Sequence, residues 1–442
     1  MPRRQAALFG WAVAALACGW AASGAAPAAE LVVQLPQEVR PLPEPLPAGR
    51  TEPGFRIRGI KGWNWTPDQY LEEIPVLAEH KMNFLMNCYL SMFSHHPQWR
   101  NDWWEPIPES RMQAYEKVIR ACQKRGIQYC FAMHPQLSSS RPLDPTSDAD
   151  FEEFWPHYAW AQGLGVKWFC VSLDDVSWGT KGPGGGGADH SRLVSRLLGR
   201  LRVKDPDAQL VFCPVPYWGD GSDPQHRAYL EAVGREMDPA VYLFWTGDAV
   251  VTPRITRQAA EKYKGIAKHR LILWDNYPVN DDQPTLHLGP VTGRDPSLHE
   301  VVDGYMSNPM CKQSQSNRIP LLTCADYAYN PQAYDPVRSI GQAIAHLADA
   351  GPPRQALKDL VEAYPGMPTF GGGTGTNPVR ERFKRLRSAP DSQAAAAAYA
   401  GRMEELSTRL GQVFPDRFRE AQKILAGDVA WLKEASRTAP KP

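Results

Sequence analysis

Residues 168–175 read Trp168-Phe169-Cys170-Val171-Ser172-Leu173-Asp174-Asp175. A short, mostly apolar run of strand length ends abruptly in two carboxylates. The run is continuous rather than alternating, as expected of a strand buried on both faces. Working outward in both directions, the same unit recurs. Strands are predicted at 56–60, 83–89, 127–133, 167–174, 209–215, 240–245, 270–275 and 319–325. Helical periods fall at 68–80, 108–124, 148–163, 189–203, 223–236, 254–267, 295–304 and 335–349. In 108–124, Met112, Tyr115, Val118, Ile119 and Cys122 share one stripe, and Gly126 follows as a stop. Eight strands alternating with eight helices predict an α/β fold, a (β/α)8 (TIM) barrel, over 56–351.

The flanks read differently. Arg3 and Arg4, an apolar run from Ala6 to Ala22 and the small residues Ala25–Ala29 have the order of an export signal over 1–29. That segment is too short for a permanent membrane span and predicts a secreted or periplasmic protein. Cys18 follows Ala15-Leu16-Ala17, loosely like a lipoprotein processing site, where a lipid anchor would attach; the ordinary signal reading is preferred. Residues 30–55, rich in proline, predict an extended linker. From 352 to 442 a Gly/Pro/Thr loop precedes an Ala-rich helical period over 391–437, a small C-terminal appendage.

The chain has 442 residues and a formal charge of +1, which gives no reason to expect nucleic acid or an anionic membrane as partner. Seven cysteines follow the signal, an odd number without a CxxC pair; most read as buried thiols. His95-His96 lacks a third ligand nearby, and the Gly184–Gly187 run lacks a following Lys-Ser/Thr. Neither is promoted to a metal or phosphate site; the glycine run is read as a linker, with a mobile segment near the rim as the other reading. Neither a metal nor a cofactor is expected. Trp63, Trp65, Trp103, Trp104, Trp178 and Trp218 fall in predicted rim loops, divided between sugar-stacking and packing roles.

Barrels of this kind carry their sites at the C-terminal strand ends. There stand Asp174-Asp175, Tyr217 after the fifth strand, Trp245-Thr246-Gly247 after the sixth, and Trp274-Asp275-Asn276 after the seventh, followed by Asn280-Asp281. Ala325-Asp326-Tyr327 is placed at the end of the eighth strand, with Ser307-Asn308-Pro309 before it. Amides, carboxylates and rings at one rim are what a sugar pocket requires. Two neighbouring carboxylates repel, so one retains a proton and serves as acid while the other stays charged. The pair suits a substrate-assisted glycosidase, in which the sugar's own acetamido oxygen attacks C1. An acidic doublet alone also suits a helix cap or a metal ligand.

The wider set resembles glycoside hydrolase family 84, the β-N-acetylglucosaminidases that include protein O-GlcNAcases. The likeness spans roughly 56–350 and rests on VSLDDV (171–176), LFWTGDAVVTPRIT (243–256), LWDNYPVND (273–281), LHLGP (286–290), SNPM (307–310) and PLLTCADYAYNPQAYDP (320–336). The resemblance implies that Asp174 orients the acetamido group and Asp175 is the general acid/base. It implies that Tyr217 bonds the acetamido oxygen, that Thr246 and Val250 line the pocket, and that Trp274 walls the acetyl methyl. Asn276 would bond near the scissile oxygen, and Asp281 and Asn308 would bind outer hydroxyls. The chain departs from the family after its first strand, where it reads Lys61-Gly62-Trp63-Asn64-Trp65 instead of Glu-Gly-Phe-Tyr-Gly. It also lacks the family's lysine after the second strand, where it reads Asn87-Cys88-Tyr89-Leu90-Ser91-Met92. The family's N-terminal domain has no counterpart in 30–55. Lys61 is the candidate replacement for the missing cation; the opposing reading is a solvated loop lysine. The expected activity is retaining hydrolysis of terminal β-linked N-acetylhexosamine through an oxazoline, with glycans as partners. The altered loops keep open a hyaluronidase-like or modified-hexosamine specificity, and a non-catalytic glycan-binding barrel is the remaining alternative.

Overall fold

The computed structural model describes residues 31–94, 100–176, 186–366, 375–389 and 393–437. The expected export segment with Cys18, the pair His95-His96, Trp178 and most of the two glycine runs lie outside them. Eight parallel strands close into a barrel in chain order. They are β1 (Ile57–Lys61), β2 (Phe84–Met86), β3 (Gln128–Met133), β4 (Trp168–Ser172), β5 (Gln209–Cys213), β6 (Tyr242–Trp245), β7 (Arg270–Pro278) and β8 (Gly304–Asn308). β8 pairs back onto β1, with Ile57 opposite Gly304. The (β/α)8 expectation holds.

Strand alternation divides the core in two. Inward residues Ile57, Phe84, Met86, Cys130, Ala132, Cys170, Val211, Cys213, Phe244, Ile272, Trp274 and Met306 fill the barrel. Their outward neighbours Ile60, Leu85, Phe131, Phe169, Val171, Leu210, Phe212, Leu243, Leu273 and Tyr305 join the layer beneath the helices. This explains the continuous apolar runs, since both faces are buried. All seven cysteines among the described residues are free and buried, and Cys130, Cys170 and Cys213 serve as small interior fillers. The same parity on β1 places Ile57, Gly59 and Lys61 on the inner side, with Lys61 at the top.

The covering helices are α1 (Pro67–Glu79), α2 (Glu109–Lys124), α3 (Asp148–Gly163), α4 (Gly187–Lys204), α5 (Pro224–Glu236), α6 (Arg257–Ala267), α7 (Ser314–Tyr329) and α8 (Pro336–Leu347). Their starts are coded locally. Thr66 and Gln69 form a reciprocal capping box ahead of α1, with Pro67 opening the helix. Asp223 caps α5 through the amides of Gln225 and His226.

One strand assignment is corrected. The segment 319–325, expected as the eighth strand, lies within α7, and the expected helix 295–304 contains only a 3-10 turn at Leu298–Glu300. The true β8, GYMSN, follows it. α7 is buried on nearly every side, so its sequence lacks the amphipathic period that separates a helix from a buried strand. Asp326 therefore leaves the catalytic rim; it accepts a hydrogen bond from the Glu44 amide at 3.0 Å and anchors the N-terminal arm. Asn308 gains by the same correction, because it now ends β8.

Residues 31–56 have no helix or strand but are docked rather than free. Leu31 and Val33 enter a second core, and the Arg40 amide donates to Gln342 at 3.0 Å. The appendage is larger than expected: four helices, α9 (Pro352–Ala363), α10 (Pro378–Ser388), α11 (Gln393–Val413) and α12 (Arg419–Arg437). Their apolar faces share the second core with Leu286, Leu288 and Ile340 of the barrel side. Asp428, fully buried there, is satisfied by Tyr364, Asn377 and Arg380.

Candidate active site

Asp174 and Asp175 occupy the turn directly after β4. On a regular strand neighbours point to opposite faces. Here Asp175 adopts a left-handed backbone with φ +57, which takes it out of that alternation. Left-handed conformations recur at Asn64, Asp281, Asp282 and Lys312, all in rim loops after β1, β7 and β8. Strain of this kind persists where surrounding structure holds it.

The two carboxylates have different surroundings. Asp174 is 3% exposed. Its Oδ1 accepts from the Ser172 hydroxyl at 2.7 Å, and its Oδ2 from the Tyr89 hydroxyl at 2.5 Å. Its backbone carbonyl accepts from His134 Nε2 at 2.7 Å. His134 Nδ1 receives the amides of Gln136 and Leu137, which places the single ring proton on Nε2. Burial lowers the His134 pKa and keeps the ring neutral. Asp175 is solvent-exposed at the rim, yet enough protein surrounds its carboxyl to raise it to about 6, desolvation first and the Asp174 charge second. The Tyr217 hydroxyl donates to Asp175 Oδ1 at 2.9 Å and opposes that rise.

Most of the sequence-predicted residues converge on this rim. Thr246 is buried; its amide donates to the Tyr217 carbonyl at 2.9 Å and its hydroxyl to Ala249 at 3.0 Å, tying the loops after β5 and β6 together. Val250 is 39% exposed, and its carbonyl accepts from Asn276 at 2.7 Å. Asn276 in turn accepts from Asn308 at 2.8 Å. Among the described residues, Asn308 Oδ1 and Trp274 Nε1 are buried without a hydrogen-bond partner. Unspent polar atoms of this kind require an explanation in a native structure. The Asp281 charge acts on Asp175, which places it at the same mouth.

Lys61 overturns the solvated-loop reading. It is 1% exposed. Its ammonium lies 4.0 Å from the Trp274 ring centroid and 4.4 Å from those of Trp63 and Tyr89. Burial lowers its pKa, against the pull of Cys88, Asp174, Cys213 and Asp175. Each ring offsets roughly 0.5–2 kcal/mol, while burying an ammonium costs several. Three rings together are of the same order as that cost, and the charges of Asp174 and Asp175 add to them. The ammonium donates no hydrogen bond to the described residues.

Four residues were missed by sequence reasoning: Tyr89, Ser172, His134 and Arg294. Strand parity carried a signal for Ser172, two residues before Asp174, and His134 directly follows β3. Tyr89 lies beyond a three-residue strand and had no periodic signal. Arg294 clamps Asp275 with Nε at 2.8 Å and Nη2 at 2.5 Å, and Tyr305 adds a third bond at 2.8 Å. Burial alone would lower the Arg294 pKa; the Asp275 carboxylate more than reverses this. The clamp fixes the β7 end between Trp274 and Asn276. Arg294→Met leaves Asp275 buried and unpaired, so about 3–5 kcal/mol of stability is expected to be lost. Urea unfolding monitored by tryptophan fluorescence measures it, and an unchanged midpoint would refute the clamp's importance. The loop tryptophans divide: Trp65 and Trp103 are fully buried packing residues, while Trp218 is partly exposed.

Fold and rim together define a (β/α)8 barrel with a carboxylate pair at the carboxyl-terminal mouth. The family model described as beta-N-acetylglucosaminidase matches residues 56–362, well over half of the chain, and the chain belongs to that family. It is 24% identical to the protein O-GlcNAcase of Rattus norvegicus and 25% identical to that of Mus musculus, each over 292 residues. Those matches take in 61% of this chain but 29% of each relative, so the matched region spans under a third of their length. Among solved structures, a protein named CpGH84B superposes with TM-score 0.66 at 22% identity, covering 87% of this chain and 67% of that one. A single-substitution variant of an O-GlcNAc hydrolase from Thermobaculum terrenum superposes with TM-score 0.64 at 20% identity, covering 87% and 95%. Both likenesses concern the fold.

Proposed function

We propose that the protein is a retaining β-N-acetylglucosaminidase that releases terminal β-linked N-acetylhexosamine through an oxazoline intermediate. The observation that carries the reading is the unequal pair. Asp175 is raised to about 6, suited to give and take a proton near neutrality. Asp174 has both oxygens held by hydroxyls. Two titratable groups in contrasting environments mark acid and partner.

In the first step the acetamido oxygen attacks C1. Asp174 accepts the acetamido N–H and stabilises the positive charge that spreads over the forming ring. Asp175 gives its proton to the leaving oxygen. In the second step Asp175 takes a proton from water, which attacks C1 from the leaving-group side and reopens the oxazoline. Two displacements return the β-configuration. The Tyr217 hydroxyl, which donates to Asp175 in this structure, turns to the acetamido oxygen when substrate binds; Trp274 walls the acetyl group, and Thr246 and Val250 line the pocket. Asn276, Asn308 and Asp281 hold the scissile oxygen and outer hydroxyls. Turnover of an aryl β-N-acetylglucosaminide by the purified protein tests the reading; absence of turnover on any aryl hexosaminide would sink it.

Lys61 enters this scheme as a hydroxyl ligand, with none of its three donors spent on the described residues. Lys61→Met keeps the stem and removes the charge. KM is expected to rise about tenfold, the loss of one charged hydrogen bond of about 1.5 kcal/mol. Steady-state kinetics check this, and unchanged KM and kcat would remove Lys61 from the site. The export-type N-terminus favours glycans met outside the cytoplasm as substrates. No helix among the described residues is long and apolar enough to cross a membrane.

A further inference from the structure

We propose that Tyr89 is a positioning residue for Asp174: its hydroxyl, backed by the Lys61 ammonium on its ring face, holds the carboxylate in the orientation that receives the acetamido N–H. This rests on the reaction proposed above.

Tyr89 is 2% exposed, and its hydroxyl meets Asp174 Oδ2 at 2.5 Å while Ser172 meets Oδ1 at 2.7 Å. A carboxylate gripped at both oxygens has lost its freedom to rotate about the Cβ–Cγ bond. Each oxygen still has a second lone-pair site for a substrate donor. The direction of the bond is settled by protonation. Desolvation, then the charges of Asp174 and Asp175, raise the Tyr89 pKa well above its ordinary value, so the phenol donates and the carboxylate accepts.

The ring is itself immobilised. His134 lies 5.1 Å from it, Trp63 5.8 Å and Trp274 6.2 Å, centroid to centroid. The Lys61 ammonium stands 4.4 Å from its centroid. A cation on the π face draws electron density from the ring and makes the O–H a stronger donor. The chain thus runs Lys61 to Tyr89 to Asp174, with the charge on β1 and the hydroxyl in the loop after β2. Without the phenol, Oδ2 loses its holder and the Ser172 bond at Oδ1 remains, so the attraction of the Lys61 ammonium turns the carboxylate off that orientation.

The test is a double-mutant cycle of Tyr89→Phe and Asp174→Asn, read as kcat and KM on an aryl β-N-acetylglucosaminide with a good leaving group. Phenylalanine keeps the ring, its aromatic partners and the cation contact. In the Asp174 background, kcat is expected to fall about tenfold or more with KM moved less than about threefold; in the Asp174→Asn background, the same substitution changes kcat less than about twofold. An equal loss in both backgrounds would make Tyr89 merely structural and overturn the proposal, as would unchanged kcat in Tyr89→Phe. A wild type without turnover overturns the reaction and this role together. An active wild type beside an unaltered Tyr89→Phe removes the role of Tyr89 alone.

Discussion

Asp175→Asn is expected to slow hydrolysis of substrates with poor leaving groups by about 10²–10⁴-fold, the usual range for a lost general acid. Aryl substrates with strongly acidic phenols are expected to lose far less, because their leaving oxygen needs no proton. The pH profile carries the same claim. The carboxyl is raised to about 6, so it is protonated below that value and ionised above it. The proposed first step consumes the proton. Activity in kcat/KM is therefore expected to fall on the alkaline side with a midpoint near 6, a value that belongs to the coupled pair. In Asp175→Asn that alkaline limb disappears. A limb that persists unchanged, or a loss independent of the leaving group, would remove Asp175 from the acid role.

Asp174→Asn is expected to behave differently. In the proposed reaction this carboxylate acts on the nucleophile rather than the leaving oxygen, so poor and good leaving groups should suffer alike. A loss of about 10²–10³-fold corresponds to removing one group that stabilises developing charge in a water-poor site. Steady-state rates on a series of aryl β-N-acetylglucosaminides of graded phenol acidity separate the two variants. Parallel plots for wild type and Asp174→Asn, against a steeper one for Asp175→Asn, are the predicted pattern. Interchanged slopes would exchange the roles.

How much of this was legible in the chain differs by residue. β4 and its acidic doublet were plain, because a doubly buried strand announces itself as an apolar run and the carboxylates end it. The register of β1 also lay within reach: Ile57, Gly59 and Lys61 share one parity, which turns Lys61 inward. That inference required the strand boundary, and a lysine after an apolar run reads equally as a loop residue. β8 was obscured for a physical reason. Buried helix α7 is apolar on nearly every side, whereas the five residues of β8 include Gly304, Ser307 and Asn308. Apolar content therefore pointed to the wrong segment, and Asp326 went with it. Partnerships across the barrel were not legible at all. Tyr89 and Asp174 are 85 positions apart, Arg294 and Asp275 are joined only by closure of the β7–β8 connection, and neither pair leaves a spacing signature.

The appendage shows the same limit. The alanine run after Gln393 favours helix by propensity alone, and α11 forms there. It packs against α9, α10 and α12 in a second core that also takes in Leu31 and Val33 from the other end of the chain, which no local pattern reveals.

The proposed reaction makes two displacements at C1, assisted by the sugar's own acetamido group. The most direct measurement is ¹H NMR of the first sugar released from an aryl β-N-acetylglucosaminide, recorded before mutarotation. The β-anomer appearing first is the predicted result. The α-anomer first, or no release at all, would contradict it.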